Sequence, residues 1–368
     1  MLTQAIIVGA GFSSYAGLPL QAGFTTELLR ASRFSKGPSK RLVEYLCPFV
    51  GDTFHPREEF DADRWPDLED LFTCIDLSAN SGHHLGPKHS PATLRTVRRA
   101  LIARTIRMLR QSYDDRKEQP DEQWAQLETL LSNITPDQSA FISLNWDTVA
   151  EERMLELHPA TTIAYGEGFT PATFPEQGNK IIPKTPPANA PALHVAKIHG
   201  SVNWLYCDNC RRVYWFNPRQ TVRIADQILS REEWSHISPK APGNAKRQWA
   251  CMHCDNVILS TRIATFSYRK ALDFPMFHQS WSHAEASLMG SKRWVFIGYS
   301  LPAADFEFKY LLKRIELSRS KPPEILLVTG GDGADATRRN YRRFFGTHLN
   351  KRIFNDGIDQ AAIDYITA

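Results

Sequence analysis

The sequence predicts an α/β protein built on a Rossmann-like parallel sheet with helices on both faces, together with a helical insertion and a small four-cysteine module. Three observations support this prediction. A short apolar run, Ala5 to Val8, leads directly into a glycine-rich turn, as a buried parallel strand does. Similar apolar runs recur later in the chain and are separated by helical patterns. Two Cys-x-x-Cys pairs interrupt this alternation.

The composition is that of a large globular protein without a strong charge bias. The chain has 368 residues, with 44 basic and 40 acidic side chains and a net charge of +4. This balance does not by itself imply nucleic-acid binding. No apolar stretch approaches the roughly 20 residues that a membrane helix needs. We therefore expect neither a membrane partner nor direct contact with nucleic acid.

The cysteines and the first residues both favour the cytoplasm. Four of the six cysteines have the spacing of metal ligands, and the other two, Cys47 and Cys74, are isolated, so disulfides are not expected. The first residues contain neither a basic segment nor a cleavage site of small residues. We expect them to belong to the fold and not to a signal peptide.

The turn after the first strand is rich in glycine, with Gly9, Gly11 and Gly17. Glycine lacks Cβ and lets backbone amides approach a pyrophosphate, whose charge then lies at a helix N-terminus. The dinucleotide fingerprint Gly-x-Gly-x-x-Gly is not met, since Ser14 occupies its third glycine position. The segment is therefore either a cofactor loop or an ordinary glycine-rich turn of an α/β protein.

Residues 31–135 are predicted to form a helical insertion. Apolar residues recur there at steps of three and four, which indicates helices with one apolar face. One such series is Leu94, Val97, Leu101, Ile102, Ile106 and Leu109. The opposite face of the same helix carries Arg95, Arg98, Arg99, Arg104, Arg107 and Arg110. Because charged runs on helices are usually solvated, we expect this face to lie in solvent or against another subunit and not on nucleic acid.

Polar side chains follow two further strand candidates. Ser139 to Leu144 runs into Asn145 and Asp147, and Leu193 to Ile198 runs into His199. In an open parallel sheet, ligands bind at the carboxyl ends of the strands. A histidine at such a position has a pKa suited to a general base. Each residue also has a purely structural interpretation. Asp147 would cap the following helix, and Asn145 would hydrogen-bond within its loop. His199 would be a core residue bonded to a backbone carbonyl.

Residues 293–297 and 324–328 are also strand candidates, and small or hydrogen-bonding residues follow each of them. These following residues are Gly298, Ser300, Thr329 and Gly330, and Leu301 lies among them. Three or four strand ends would thus converge on one crevice. A helix that packs back on the sheet is predicted from Asp305 onward. Residues 166–192, rich in Gly and Pro, are predicted to be a surface loop with little regular structure.

The four paired cysteines predict a structural zinc site. Cys207 and Cys210 form one Cys-x-x-Cys pair, and Cys251 and Cys254 form the other. Each pair places two thiolates where one tetrahedral zinc ion can bind both, and two pairs complete a closed set of four sulfur ligands. A metal bound in this way stabilises the fold and takes no part in the chemistry.

Taken together and in this order, the motifs resemble those of the sirtuins and sirtuin-like proteins over most of the chain. Gly9-Ala10-Gly11-Phe12-Ser13 is similar to the sirtuin cofactor loop, and Leu144-Asn145-Trp146-Asp147 is similar to the segment with the catalytic Asn and Asp. His199-Gly200 resembles the pair that carries the general base. The cysteine pairs resemble the zinc module, and Gly298-Tyr299-Ser300-Leu301 resembles the segment near the cofactor.

The resemblance implies a Rossmann-like NAD-binding domain and a role for each motif. It implies that Asn145, Asp147 and His199 are catalytic and that the four cysteines bind zinc. The residues implied to bind NAD are Gly9, Ala10, Gly11, Ser13, Gly298, Ser300, Leu301, Thr329 and Gly330. The NAD-binding domain is expected to comprise residues 1–30, 136–206 and 255–368, with the helical insertion at 31–135 and the zinc-binding module at 207–254.

Two departures from the deacylating sirtuins affect the predicted reaction. Pro19 is followed by Leu20, Gln21 and Ala22 where the deacylases have Asp, Phe and Arg. Residues 258–262 do not resemble the peptide-binding segment that follows the second cysteine pair in deacylases. With the nicotinamide pocket retained and the peptide cleft lost, the chain is similar to prokaryotic sirtuin-like proteins that hydrolyse NAD in phage defence.

The resulting prediction is an NAD+ glycohydrolase that cleaves the nicotinamide–ribose bond, with NAD as its substrate. One alternative is an NAD-dependent protein deacylase or ADP-ribosyltransferase. Another is a non-catalytic subunit that binds NAD within an assembly. By analogy with defence effectors, we also expect a homo-oligomer and a separately encoded ATPase or nuclease partner.

Overall fold

A seven-stranded parallel sheet forms the centre of the structure, a computed structural model that describes residues 2–30, 37–55, 65–239, 248–257, 259–261, 263, 275–346, 349 and 352–368. In spatial order the strands are β12 (Ile353–Phe354), β11 (Glu324–Val328), β10 (Arg293–Ile297), β1 (Gln4–Val8), β2 (Ser139–Ser143), β6 (Ala192–Lys197) and β3 (Thr162–Ala164). Neighbouring strands pair in parallel throughout. The strands predicted from the apolar runs are confirmed to within a residue.

The strand order reverses next to β1. From β1 the chain moves outward to β2 and β6 on one side, and it later returns to β10 on the other side. Such a reversal is the topological switch point at which open α/β sheets bind ligands, outside the carboxyl ends of the strands. The loops that follow β1, β2, β6 and β10 all begin at this edge of the sheet.

Helices cover both faces of the sheet, as predicted. They are α1 (Ala10–Ser13), α2 (Gln21–Leu29), α3 (Pro38–Phe54), α4 (Leu68–Ser81), α5 (Pro91–Glu118), α6 (Glu122–Ser132), α7 (Val149–Leu157), α8 (Thr221–Ile228), α9 (Arg231–Ile237), α10 (Pro275–Gly290), α11 (Phe306–Ser318), α12 (Ala334–Phe345) and α13 (Gln360–Thr367). Ile6 and Val8 of β1 share a core with α5, α6 and α13. Ala5 and Ile7, on the other face, share a core with α10, α11 and α12. None of the helices in the described part of the chain is long and apolar enough to cross a membrane.

Most of the basic face of α5 packs against other helices of the same chain and is not simply solvated, contrary to the expectation from sequence, although Arg95 is exposed. The helices α4, α7, α8 and α9 each supply a carboxylate to it, and the pairs are Arg98 with Asp76, Arg99 with Glu233, Arg107 with Asp226 and Arg110 with Glu152. Arg104 on the same helix is 1% exposed. Its Nη2 donates to the carbonyl oxygen of Glu27 at 3.4 Å. The arginines therefore hold α5 against its neighbours within one chain.

A second sheet lies beside the cysteine pairs. Among the described residues its strands are, in spatial order, β5 (Ile182–Pro183), β4 (Phe169–Thr173), β8 (Val213–Phe216), β7 (Trp204–Cys207) and β9 (Leu259–Ser260). The prediction of little regular structure was wrong for residues 169–173 and 182–183. The Phe169 ring packs 4.5 Å from that of Trp204, and this long-range contact is not visible in the local composition.

The predicted domain boundaries stay predictions. The helices α3 to α6 lie within residues 31–135, and strands of the second sheet lie on both sides of residues 207–254. Of the segment 258–262 that departs from the deacylase pattern, Ile258 and Arg262 lie outside the described residues.

The turn after β1 lies directly against the end of β10. The amide of Gly11 donates to the carbonyl oxygen of Gly298 at 2.9 Å, and Gly298 has a φ of 61°. A Cβ at position 298 would lie 2.2 Å from the amide nitrogen of Phe12. Only glycine permits both this φ and this approach. The contact brings two loops together at the switch point.

Gly298→Ala is expected to destabilise the protein by at least about 2 kcal/mol, because the strained φ and the steric overlap act together. Urea unfolding measures the loss. Gly290→Ala is the matched control, since, apart from its chain neighbours and the backbone of its own helix, no heavy atom of the described residues lies within 4 Å of a Cβ there. If Gly298→Ala and Gly290→Ala were equally stable, the close approach described above would be incorrect.

Candidate functional site

A cavity of about 260 Å³ lies at the carboxyl ends of β1, β2, β6 and β10. The predicted site residues that line it are Gly9, Ala10, Ser13, Asn145, Asp147, His199, Gly298 and Ser300. Much of the remaining wall is apolar and includes Leu18, Phe24, Leu109 and Trp146. A concave, mainly apolar surface with a few convergent polar groups is typical of small-molecule sites.

Four other predicted residues are absent from the cavity lining that the described residues form. Gly11 lies behind the lining, against Gly298. Leu301 is buried in the core and adopts a left-handed φ of 55°. Thr329 and Gly330 follow β11, one strand further along the sheet. The roles of these four residues in cofactor binding stay predictions.

Ser13 joins Asn145 and Asp147 into one hydrogen-bonded group. Asn145 Nδ2 donates to Ser13 Oγ at 2.9 Å, and Ser13 Oγ donates to Asp147 Oδ2 at 2.7 Å. The other carboxylate oxygen of Asp147 accepts from the amide of Val149 at 3.0 Å. Asp147 therefore bonds to the first residue of α7, although the capping position of that helix is Thr148, and it also lines the cavity. The group connects the turn after β1 to the loop after β2.

His199 is held by the loop after β2. Its Nδ1 lies 3.0 Å from the carbonyl oxygen of Leu144, so the backbone bond considered from sequence is present. Since a carbonyl oxygen can only accept, Nδ1 carries the hydrogen and Nε2 is the nitrogen that can take up a proton. Nε2 faces Asp305, whose Oδ1 lies 3.7 Å away. The ring is thus oriented with its basic nitrogen toward another residue of the cavity.

Tyr299 and Asp305 line the cavity but were not predicted as site residues. The Tyr299 hydroxyl donates to Asp305 Oδ2 at 3.0 Å. Burial and the Asp305 carboxylate raise the pKa of Tyr299 well above its usual value, so its hydroxyl stays protonated as a donor. From sequence, Asp305 is adequately explained as the residue that precedes a helix. Gln21, where the chain departs from the deacylase pattern, also lines the cavity.

A buried ion pair lies beneath the loop that carries Asn145 and Asp147. Lys197 Nζ and Glu151 Oε1 are 3.3 Å apart, and the two side chains are 0% and 1% exposed. Lys197 also donates to the carbonyl oxygen of Asp147 and, at 3.2 Å, to Ser143 Oγ. Ser143 Oγ in turn accepts from the amide of Asn145 at 3.2 Å. Lys197 therefore fixes the backbone on both sides of Trp146.

The acidic partner of this pair has further hydrogen bonds. Tyr165 donates to Glu151 Oε1 at 3.2 Å, and Asn203 Nδ2 donates to the Tyr165 hydroxyl oxygen at 3.1 Å. Burial raises the pKa of Glu151, and the Lys197 ammonium opposes this rise. In a buried environment of low dielectric constant, such a network is stable only while its members remain hydrogen-bonded to one another.

The four cysteines predicted as metal ligands form one cluster, with their sulfur atoms within 4.8 Å of one another. The sulfur atoms of Cys207 and Cys254 are 3.5 Å apart, and those of Cys210 and Cys251 are 3.6 Å apart. Tetrahedral zinc, with Zn–S bonds of about 2.3 Å, separates its sulfur ligands by about 3.8 Å. The cluster could therefore hold zinc. It lies beside the second sheet and outside the cavity.

Both cysteine pairs use the same backbone turn. The amide of Arg211 donates to the carbonyl oxygen of Cys207, and the amide of Asp255 donates to that of Cys251. Arg211 and Asp255 both have a φ of 57°. In addition, the Tyr214 hydroxyl lies 2.9 Å from Cys251 Sγ, as a donor to a thiolate would. The chain thus shapes two equivalent ligand pairs.

No protein-family model matches the chain, and no curated protein matches it. Among solved structures, it is similar to one that describes the mechanism and regulation of Sir2 enzymes, with 12% identity over 99% of this chain and 90% of that chain and a TM-score of 0.38. It is also similar to a mutant Sir2 homologue in complex with ADP-ribose, with 11% identity, the same coverage and a TM-score of 0.36. A structure concerned with sirtuin substrate affinity matches with 13% identity over 99% of this chain and 91% of that chain, at a TM-score of 0.34.

Lys197→Met is expected to destabilise the protein by about 3–5 kcal/mol near neutral pH, because it leaves the Glu151 carboxylate buried without a cation. The loss should shrink as the pH falls. A carboxyl group whose folded pKa is raised contributes stability at low pH and loses it as the pH rises through that pKa. Urea unfolding at two pH values, about 5 and about 8, measures both effects.

The double variant Lys197→Met, Glu151→Leu should recover most of this stability, because it removes the stranded charge as well. Lys88→Met is the control, since the pair of Lys88 with Asp52 is exposed and contributes little. A loss that did not depend on pH and was not recovered in the double variant would contradict the ion-pair account.

Proposed function

We propose that the protein is an NAD+ glycohydrolase that transfers the ADP-ribosyl group of NAD+ to water. The observation that supports this most is the meeting of Asn145, Asp147 and His199 in one cavity at the switch point of the sheet. These are the residues to which the sirtuin-like motifs assign cleavage of the nicotinamide–ribose bond. They come from the ends of two different strands and are tied together by Ser13 and by the Leu144 carbonyl.

Cleavage of the bond places two demands on the site. Positive charge develops on the ribose as the bond lengthens, and the departing nicotinamide must be held by its carboxamide. Asp147 supplies negative charge in a mainly apolar cavity, where such charge acts most strongly. Asn145 supplies an amide group whose orientation is set by its bond to Ser13. We assign the recognition of the nicotinamide carboxamide to Asn145.

His199 is the proposed general base. Its bond to the Leu144 carbonyl leaves Nε2 as the nitrogen that can accept a proton from the attacking water or from a ribose hydroxyl. General-base catalysis typically contributes about 10²- to 10⁴-fold in rate. The ring is buried and fixed, so it requires little reorganisation at the moment of reaction.

The rest of the dinucleotide is proposed to follow the strand ends. Gly9, Ala10 and Ser300 border the cavity on the loops after β1 and β10 and are the proposed contacts of the ribose and pyrophosphate. From there the adenosine half would extend toward Thr329 and Gly330, after β11. This placement gives a role both to the predicted cofactor residues that line the cavity and to Thr329 and Gly330, which lie outside its lining.

Hydrolysis is proposed in preference to deacylation because of the departures from the deacylase motifs. Gln21 lines the cavity near the position where the deacylases have a charged motif, and Glu69 and Leu109 of the region between β1 and β2 complete the same wall. Gln21 thus brings one of the departures from the deacylase motif into the cavity wall.

The biological role is a further part of the proposal. By its resemblance to defence effectors, the protein is proposed to act in prokaryotic antiphage defence, in the cytoplasm, as a homo-oligomer with a separately encoded ATPase or nuclease. The NAD content of bacteria that express the protein, measured before and after phage infection, tests this role. A fall in NAD content that occurs only with phage supports it, and an unchanged content contradicts it.

Zinc is the proposed metal of the four-cysteine cluster, in a purely structural role. The thiolate set and the sulfur separations suit tetrahedral zinc, and the ligands leave no position for a substrate. The ion would join β7 to the second cysteine pair and so stabilise the second sheet.

Asn145→Ala and His199→Ala are each expected to lower NAD+ cleavage at least about 100-fold, because each removes a group that acts on the reacting bond. Nicotinamide release by chromatography measures this, with and without an acetylated peptide. ADP-ribose as the product supports hydrolysis, an acylated ADP-ribose indicates deacylation, and intact bound NAD+ indicates a binding subunit. The exposed His84→Ala is the control and should keep full turnover. A His199→Ala variant with wild-type turnover would refute the site.

Cys207→Ser is expected to abolish metal binding and to unfold the second sheet, because the free energy of metal binding is part of the folding free energy of such a module. Metal analysis of the wild-type protein should find one zinc per chain. Cys47→Ser, at an isolated cysteine, serves as the control and should retain the metal. Wild-type protein that is stable and free of metal would contradict the assignment.

A further inference from the structure

The backbone carbonyl of Ile198 takes its hydrogen bond from a side chain. The strand β6 ends at Lys197, and the chain then turns, with the amide of Gly200 donating to the carbonyl oxygen of Lys197 at 3.1 Å. Ile198 lies in this turn and is 0% exposed. No backbone amide of the described loops and turns donates to its carbonyl oxygen. Because a buried carbonyl without a partner costs free energy, this group requires a donor from another element.

Trp281 of α10 is that donor. Its Nε1 lies 3.1 Å from the carbonyl oxygen of Ile198. The indole ring is half-buried and packs against the apolar cores on both faces of the sheet. It meets the ring of Phe308 of α11 edge to face, with the two centroids 6.3 Å apart. An indole N–H that is held by packing in this way donates in one fixed direction.

The same bond fixes the peptide group of His199. The carbonyl of Ile198 and the amide of His199 belong to one planar unit, so a bond to the carbonyl sets the orientation of the whole unit. At the ring, Nδ1 bonds to the carbonyl oxygen of Leu144 at 3.0 Å. The histidine is therefore held at two points, by α10 at its backbone and by the loop after β2 at its ring.

We propose that Trp281 is a positioning residue for the general base, because its bond to the Ile198 carbonyl aligns His199 Nε2 with the proton that it accepts. The inference rests on the proposed function. A general base acts only within hydrogen-bond reach of that proton, and a displacement of about 1 Å can lower the rate about 100-fold. Trp281 lies outside the described lining of the cavity, so it acts on the reaction through His199 and not by touching NAD+.

The variant Trp281→Phe tests this, because it keeps an aromatic ring and removes the N–H donor. For the full-length protein, kcat for nicotinamide release from NAD+ should fall about tenfold, since His199 is no longer held in line with its proton. KM for NAD+ should change by less than about twofold, because the proposed contacts of the dinucleotide remain. Trp281→Met, whose flexible side chain adapts to the space, also lacks the donor and should show the same fall in kcat.

Trp294→Phe is the matched control. The Nε1 of Trp294 also donates to a backbone carbonyl at 3.1 Å, that of Leu288, and Trp294 lies outside the described lining of the cavity. Both phenylalanine variants should be less resistant to urea than the wild type, but kcat should fall only in Trp281→Phe. A kcat lowered equally in the two variants would show that a general loss of stability is the cause, and this result overturns the inference.

Combination with His199→Ala shows whether Trp281 acts through the histidine. If it does, Trp281→Phe should lower kcat in the wild-type background and leave the residual rate of His199→Ala unchanged. A further tenfold fall in the double variant overturns the inference and leaves the proposed function intact, as does a wild-type kcat in both Trp281 variants. Wild-type protein that cleaves no NAD+ overturns the proposed function and the inference together.

Discussion

The loop after β2 is the constraint on which the whole site depends. Its backbone carbonyls bond to His199 from β6 and to Lys197 beneath it, and its side chains bond to Ser13 from the turn after β1. Three strand ends are thereby joined by hydrogen bonds to one short segment. Displacement of this loop would separate the amide, carboxylate and imidazole groups that the proposed reaction needs within one cavity.

The buried pair of Lys197 and Glu151 holds this loop at a high cost in desolvation free energy. Taking both charges out of water costs several kcal/mol per ion, and well-packed apolar residues would often be at least as stable. What the pair offers is direction, because an ammonium group can bond at once to a carboxylate, a hydroxyl and a backbone carbonyl. We interpret the ion pair as an arrangement that lowers the stability of the fold but fixes the orientation of Asn145 and Asp147.

Features carried by local patterns could be predicted from the sequence, whereas those that depend on distant partners could not. The apolar runs and the residues after them predicted the strands, the convergence of Asn145 and His199, and the cysteine cluster. The arginines of α5 were misjudged because Arg99 and its partner Glu233 are 134 residues apart in the chain. Asp305 was overlooked for a related reason: an aspartate before a helix satisfies a local rule, and only the folded chain places it beside His199.

A crystal structure of the His199→Ala variant with bound NAD+ tests the central claim most directly. The nicotinamide ring is expected to lie in the cavity against Asn145, with the anomeric carbon facing position 199. A dinucleotide bound elsewhere on the chain, or bound in the cavity with its adenine in the place of nicotinamide, would contradict it.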